Sequence, residues 1–508
     1  MKTINFQKNI GILMTIIVIS KLFGMFRDVV LANYYGTSNI SDAYLIASSV
    51  PTLLFYFIGH ALSTAYIPMY NKVKKEKGID AANRYSNNIT TISLLICTVL
   101  ILLLLCFPSY IVKLFAAGFD SQTTEIASRF IRASAFSLYF MVLVNIGNGY
   151  LQINDNFIVP AAISLPRNLA IITAIILSAT IGVWLMGWGI LFAYILEVLF
   201  IIPFIKRTGY KYRTVIDIKD KNVGETLFIV VPVIIGVGVS QINNAISKSI
   251  ASTIAEGAIS ALTYASVINN AVQGILVTGI VTVLFADSAA HVVNNEEEEV
   301  KIKLSKTVNG MLLLLIPASI GVIILAKPIV TVFFNRGNFD VNSINMTMSA
   351  LQFYSIGLVF LAIRDSLVKV FYAYKDTKTT TITSVIVIAI NILLSLIFSK
   401  VLGVQGVALA TSVSAIIHCI TLYILLRKKI GDFYIFTTLI NTAKSLLSGI
   451  TMGVVVFLVN RLLLPSNVLA SIILSVILGC ITYVLILLIL KSEPAMDVLS
   501  KVKKVFIK

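Results

Sequence analysis

Long uncharged apolar blocks alternate along the chain with short segments that carry Lys and Arg. Asn88–Val112 holds no charged side chain, and Asn467–Leu490 holds none either. A bilayer core about 30 Å thick needs about 20 apolar residues to be crossed as a helix, and both blocks satisfy this. The pattern predicts spans near residues 10–33, 41–66, 88–113, 126–151, 158–181, 184–205, 223–244, 257–286, 307–326, 348–373, 379–401, 404–426, 437–461 and 466–490. The fold class is therefore an all-α polytopic membrane protein with about fourteen transmembrane helices.

Composition strengthens this. Of 508 residues, 58% are hydrophobic and 12% charged, with a mean hydropathy of +0.94. A soluble domain carries about 25% charged residues, so this chain has too little polar surface to be one. The net charge of +17 does not point to nucleic acid, because the basic residues cluster between apolar blocks. They sit at Lys72–Lys77, Lys206–Arg213, Lys375–Lys378 and Arg427–Lys429, and in a tail carrying Lys501, Lys503, Lys504 and Lys508. All fall on one side of an even span count, which makes that side cytoplasmic and both termini cytoplasmic. Lys327 and Arg336 are the main basic residues of the other side. The acidic run Glu296–Glu299 lies in a cytoplasmic loop and weighs little in this rule. Cys97, Cys106, Cys419 and Cys480 lie in apolar stretches without metal or redox spacing. The first apolar stretch runs into Lys21 and Arg27 without a small-residue cleavage site, so it reads as a span and not a signal peptide.

The chain also repeats itself. Ile111-Val-Lys-Leu-Phe115 and Gly118-Phe-Asp120 resemble Ile329-Val-Thr-Val-Phe333 and Gly337-Asn-Phe-Asp340. Tyr150 with Asn154 resembles Tyr372 with Asp376, Asn168 matches Asn391, and Gly189–Ala193 resembles Gly406–Ala410. These matches keep one order at similar separations. Repeated membrane halves are a signature of transporters that alternate access to a central site. The expected organisation is a first lobe of spans 1–6 (residues 1–215), a second of spans 7–12 (216–430), and two further spans with a basic tail (431–508).

Charges inside a span cost roughly 2.5–3.5 kcal/mol each on insertion scales, so they should face a partner or a cavity. The densest set is Lys21, Arg27, Asp28 and Asp42. Lys21, Gly24 and Asp28 share a helical face. A basic cavity wall suits an anionic substrate such as a pyrophosphate; the structural alternative is that these charges neutralise each other between spans 1 and 2. His60 is a candidate proton switch or a polar helix contact. Gln241, with Pro232, Gly236, Gly238, Ser240, Asn243 and Asn244, suits close packing or a cation site. In span 10, Asp365 and Lys369 are four residues apart and are expected to pair, with Arg364 beside them. Arg129 and Arg132 near an outer end read as snorkelling residues, and Arg167, Glu197 and Lys248 stand singly. No nucleotide loop, hydrolase triad or metal-ligand cluster is visible. The expectation is no enzymatic activity and no cofactor, with work drawn from a coupling cation, the membrane potential or the substrate gradient.

Ser20-Lys-Leu-Phe-Gly-Met-Phe-Arg-Asp28 resembles the S-R-x-x-G-x-x-R-D opening of the MurJ/MviN lipid II flippase family. Ser41-Asp-Ala-Tyr44 with Pro51 resembles the element that follows it, and the stretches near Pro232, Phe334–Phe339 and Phe371–Thr379 resemble later landmarks. The resemblance covers nearly the whole chain. It implies the multidrug/oligosaccharidyl-lipid/polysaccharide exporter superfamily, with two six-helix lobes around a central cavity. It also implies a bacterial cytoplasmic-membrane flippase for an undecaprenyl-pyrophosphate-linked peptidoglycan precursor, with membrane lipids and cell-wall synthesis proteins as neighbours. The chain departs from the pattern at three places: Lys21 replaces an Arg, Phe55 and Tyr56 replace an Arg pair, and Val267 of Tyr264-Ala-Ser-Val267 replaces another Arg. Two further readings stay open, a flippase for another polyprenyl-linked glycan and a cation-coupled small-molecule exporter of the same fold. A non-transporting scaffold for wall synthesis is a third.

Overall fold

The computed structural model describes residues 2–463 and 467–496. Within these, the side chains of residues 2–10, 60, 61, 63, 64, 227, 229–237, 239, 240 and 463 fall outside the described set. Among the described residues every regular element is an α-helix, as a lipid solvent requires of a chain that must satisfy its own backbone. The chain divides into two units, Met1–Ser260 with Arg336–Phe339, and Ala261–Asn335 with Asp340–Lys508.

The first unit contains α1 (Lys2–Tyr35), α2 (Asn39–Lys77), α3 (Ile79–Cys106), α4 (Pro108–Phe115), α5 (Ser121–Ala135), α6 (Ser137–Ile153), α7 (Ile158–Ala162), α8 (Ser164–Ile181), α9 (Leu185–Arg207) and α10 (Lys221–Ser252). The helix α2 is its hub, packing on α3, α5, α6 and α10, while α1 lies along α8. Ser38 starts α2 with a reciprocal capping box to Ser41, and Gly78 (φ 85°) stops it. Helix α11 (Ala258–Leu276) begins in this unit and continues into the second.

The second unit adds α12 (Thr278–Val293), α13 (Glu297–Phe334), α14 (Val341–Ala373), α15 (Thr377–Leu402), α16 (Val404–Ile430), α17 (Ile435–Leu463) and α18 (Val468–Ile489). Its core forms where α14 packs on α13 and α16, around Leu315, Leu358, Leu367 and Leu422. Helices α17 and α18 pair with each other and attach to α13.

Among the described residues, ten helices are long and apolar enough to cross a membrane, or twelve if each of two bent pairs is one span. The bent pairs are α5 with α6 (44°) and α11 with α12 (45°). Fourteen spans would require α1 and α10 to cross as well.

The repeat has a structural register. Asp120 caps α5 by accepting from the Thr123 amide at 2.8 Å, and Asp340 caps α14 by accepting from the Ser343 amide at 2.8 Å. At the far end of α6, the Asn154 amide reaches Tyr150, Asp155 reaches Gln152 and Asn156 reaches Leu151. At the end of α14, Tyr374 reaches Val370, Lys375 reaches Tyr372 and Asp376 reaches Phe371. Asp155 (φ 57°) and Lys375 (φ 59°) take the left-handed position of each closure. Tyr372 and Asp376 therefore correspond to Gln152 and Asn156; the sequence pairing with Tyr150 and Asn154 was two residues out of register. Asn156 Oδ1 and Asp376 Oδ1 then accept from Val159 and Thr379 at the next helix starts.

Candidate functional site

Helix α1 carries three of the four leading candidates, and packing against α8 decides their partners. The Arg27 guanidinium donates to Asp28 Oδ1 through Nε at 3.0 Å and Nη2 at 2.8 Å. Its Nη1 approaches Asn168 Oδ1 of α8 at 3.5 Å. Asp28 is buried, and Arg27 keeps 30% of its side-chain surface exposed. A Cβ on Gly24 would stand 3.9 Å from Asn168, an ordinary contact. Lys21 is exposed and, among the described residues, belongs to no ion pair.

Asp42 is not part of this group. It is buried at the start of α2, where Oδ1 accepts from the Ser260 amide at 2.8 Å in the first turn of α11. A carboxylate there satisfies an otherwise orphan amide and complements the helix dipole. Lys248 of α10 lies within electrostatic reach of it. Asp42 thus ties α2 to the start of α11, and the pairing that forms is inside span 1, between Arg27 and Asp28, and not across spans 1 and 2 as the structural alternative had it.

A second ion pair stands on the neighbouring hairpin. Arg167 of α8 meets Glu197 of α9 at 3.2 Å, and its guanidinium lies 5.8 Å from the Tyr194 ring centroid. Glu197 is 1% exposed, and neither carboxylate oxygen has a hydrogen bond. Sequence reasoning treated Arg167 and Glu197 as isolated, and treated Asn168 only as a repeat match. The adjacency of Arg167 and Asn168 was the available signal, because one turn of α8 presents both.

The secondary candidates are dispersed. In α14, Asp365 accepts from Arg364 Nε at 3.0 Å and from Gln273 at 3.3 Å. The expected Asp365–Lys369 pair does not form: Lys369 Nζ instead sits 5.2 Å from the Phe285 ring centroid and 5.9 Å from that of Tyr372. Arg364, the adjacent residue, reaches the carboxylate first with a planar donor edge. Gln241 is half-buried on α10. The His60 side chain, the side chains of Pro232, Gly236 and Ser240, and the tail lysines Lys501, Lys503, Lys504 and Lys508 fall outside the described residues. Phe55 packs onto Gly59, where a Cβ would come within 2.2 Å of its ring, and Val267 is half-buried. Among the described residues, no group of three or more His, Cys, Asp or Glu could hold a metal ion.

Chemically, two guanidinium groups are each held by a carboxylate, with an uncompensated Lys21 on the same helix as the first. Each pair lowers the cost of keeping charge among apolar helices. Each also leaves guanidinium N–H groups able to meet a passing oxyanion, which a lone carboxylate pocket would repel.

A family model described as "Lipid II flippase MurJ" matches residues 31–478. The "Lipid II flippase MurJ" of Thermosipho africanus (strain TCF52B) is 30% identical over 418 residues, covering 82% of this chain and 84% of that protein. A solved structure titled "Lipid II flippase MurJ, inward closed conformation" is 28% identical, with a TM-score of 0.81 over 96% of this chain and 99% of that one. A multidrug resistance MATE family transporter of the MOP superfamily, solved in an inward-facing conformation, is 15% identical. It covers 82% of this chain and 97% of its own with a TM-score of 0.69, a likeness of fold alone.

Proposed function

This chain belongs to the lipid II flippase MurJ family, and from that premise we propose that it carries lipid II across the bacterial cytoplasmic membrane by alternating access. The observation that carries the reading is the Arg27 guanidinium, oriented by Asp28 and Asn168 on a membrane helix, with exposed Lys21 two turns away. The obstacle to flipping is the pyrophosphate. At 4 Å and an effective dielectric of about 20, one fixed cation is worth about 4 kcal/mol to a unit anion, comparable with the roughly 2.5–3.5 kcal/mol cost of a charge in a span. A cation already paired with Asp28 is affordable in the membrane when empty, and exchanges a carboxylate for a phosphate oxygen when loaded.

Both termini face the cytoplasm in this reading. The membrane potential or a coupling cation drives turnover, with no enzymatic step and no cofactor. The substrate is a polyprenyl-linked glycan, and the neighbours are membrane lipids and cell-wall synthesis proteins. Phe55, Tyr56 and Val267, at places where the family pattern has arginine, favour a second reading in which the glycan differs from that of lipid II. Depletion of the protein, followed by measurement of lipid II on the outer leaflet, tests the proposal. Outer-leaflet lipid II should fall while the total pool rises. An unchanged outer-leaflet pool refutes lipid II as the cargo.

A further inference from the structure

A second basic cluster lies away from Arg27, where α4 meets the start of α5. A cavity of about 520 Å³ opens there, lined by Ser109, Lys113, Thr124, Ser128, Arg129 and Arg132 among others. Its two carboxylates are already engaged: Asp120 accepts from the Thr123 amide, and Glu125 pairs with Arg129. Lys113 and Arg132 belong to no ion pair among the described residues, and with Arg129 they outnumber the Asp120 and Glu125 carboxylates, so the lining is net positive by one charge. Thr124 is 6% exposed, and its Oγ1 is buried without a hydrogen-bond partner. Ser128 is buried and shares a 3.2 Å hydrogen bond with Ser109, which leaves each hydroxyl further capacity. Hydroxyls and a net positive lining in which Lys113 and Arg132 lack a carboxylate partner form an oxyanion site.

The flank of the cavity says which oxyanion. Phe107 (52% exposed), just before α4, and Tyr110 (77%) and Leu114 (75%) on it face outward. In a membrane protein such a surface beside a cationic pocket sits at the boundary of hydrocarbon and water. A ligand there has an acyl part against α4 and a phosphate against Lys113 and Arg132. Snorkelling alone would place these side chains in water; here Lys113 and Arg132 line one cavity together with Ser109, Thr124 and Ser128. We infer that the α4–α5 cavity binds the phosphate headgroup of an anionic phospholipid, in the outer leaflet on the topology proposed above. This site stands apart from the flipping reading and survives its failure.

Native mass spectrometry of the full-length protein in detergent, titrated with phosphatidylglycerol, tests it. The wild type should retain phosphatidylglycerol in preference to phosphatidylcholine. Lys113→Gln/Arg132→Gln should weaken that retention at least tenfold, and Thr124→Val severalfold. An equally basic site elsewhere, neutralised as Arg427→Gln/Lys428→Gln, should leave it unchanged, and the melting temperature of each variant confirms folding. Equal retention by the wild type and the Lys113/Arg132 variant overturns the inference. Displacement of the lipid by millimolar inorganic phosphate overturns it too, by assigning the cavity to a free oxyanion.

Discussion

Arg27 and Asp28 are adjacent in the chain and in space, so their separate roles need a paired experiment. Arg27→Ala is expected to abolish flipping. It also leaves Asp28 as a buried unpaired carboxylate, which lowers protein abundance. Arg27→Gln/Asp28→Asn should restore abundance without restoring lipid II on the outer leaflet, and Arg27→Lys should keep part of the activity. Full activity of Arg27→Gln/Asp28→Asn at normal abundance removes the anion-carrying argument. Arg167 and Glu197 allow a sharper energetic test, because Glu197 has no other partner. Arg167→Gln should cost about 3–5 kcal/mol, the usual penalty for stranding one member of a buried pair. Arg167→Gln/Glu197→Gln should recover most of this in a detergent thermal melt. Equal melting of the single and double variants would show that the pair is not a structural unit. Neither the pairing of Arg27 with Asn168 nor that of Arg167 with Glu197 was legible in the sequence, since 141 residues separate the first two. The charged residues themselves were legible, because a charge in an apolar block is conspicuous.

Helix ends and helix crossings hold the repeat together. The closures at Asp155 and Lys375 recur, among the described residues, at Asn295 (φ 60°) and Lys491 (φ 49°), each with the same amide-to-carbonyl pattern. This is the Schellman arrangement, which glycine fills with least strain. Lys375→Gly should therefore raise thermal stability, by an amount up to about 1 kcal/mol, although it removes a basic residue. A lower melting temperature would mean that Lys375 makes a compensating contact. Crossings behave in the opposite way. Gly189 faces Ala174 and Gly406 faces the Phe398 carbonyl, where an added Cβ would come within 2.3 Å and 2.2 Å. Gly406→Ala should cost about 1–3 kcal/mol by overpacking, more than Gly189→Ala, because a backbone carbonyl yields less than a methyl group. The order is read from the two melting temperatures. Gly-x-x-x-Ala in both halves marked these positions in the sequence; the two-residue register error at Tyr372 arose because a short turn motif fixes its phase by hydrogen bonds and not by residue identity.

For the molecule as a whole, span number and orientation make one prediction. A reporter in the Lys72–Lys77 segment should read cytoplasmic and one in the Gly118–Glu125 segment external. Fused after Lys508, it should read cytoplasmic, as fourteen spans demand. With the Lys72–Lys77 segment cytoplasmic, an external tail signal would remove α10 from the crossing set, since α1 lies before that segment. The bilayer makes the helical membrane fold legible from sequence: every crossing must be apolar and helical, so the apolar helices are written locally in hydropathy. Which ionisable groups meet is another matter. Lys21, Arg27, Asp28 and Asp42 look alike as charges in two consecutive spans, yet Asp42 is spent on the Ser260 amide of α11 and Arg27 is oriented by Asn168 of α8. Arg129 and Arg132 read as snorkelling residues, and Lys113 only as part of a repeat motif, until the meeting of α4 and α5 gathers them around one cavity. Such meetings depend on which helix faces touch across more than a hundred residues of chain, or across a turn whose geometry has no periodicity. Packing decides them, because a polar partner inside a membrane protein is supplied by whichever helix lies within about 3 Å, regardless of its place in the chain.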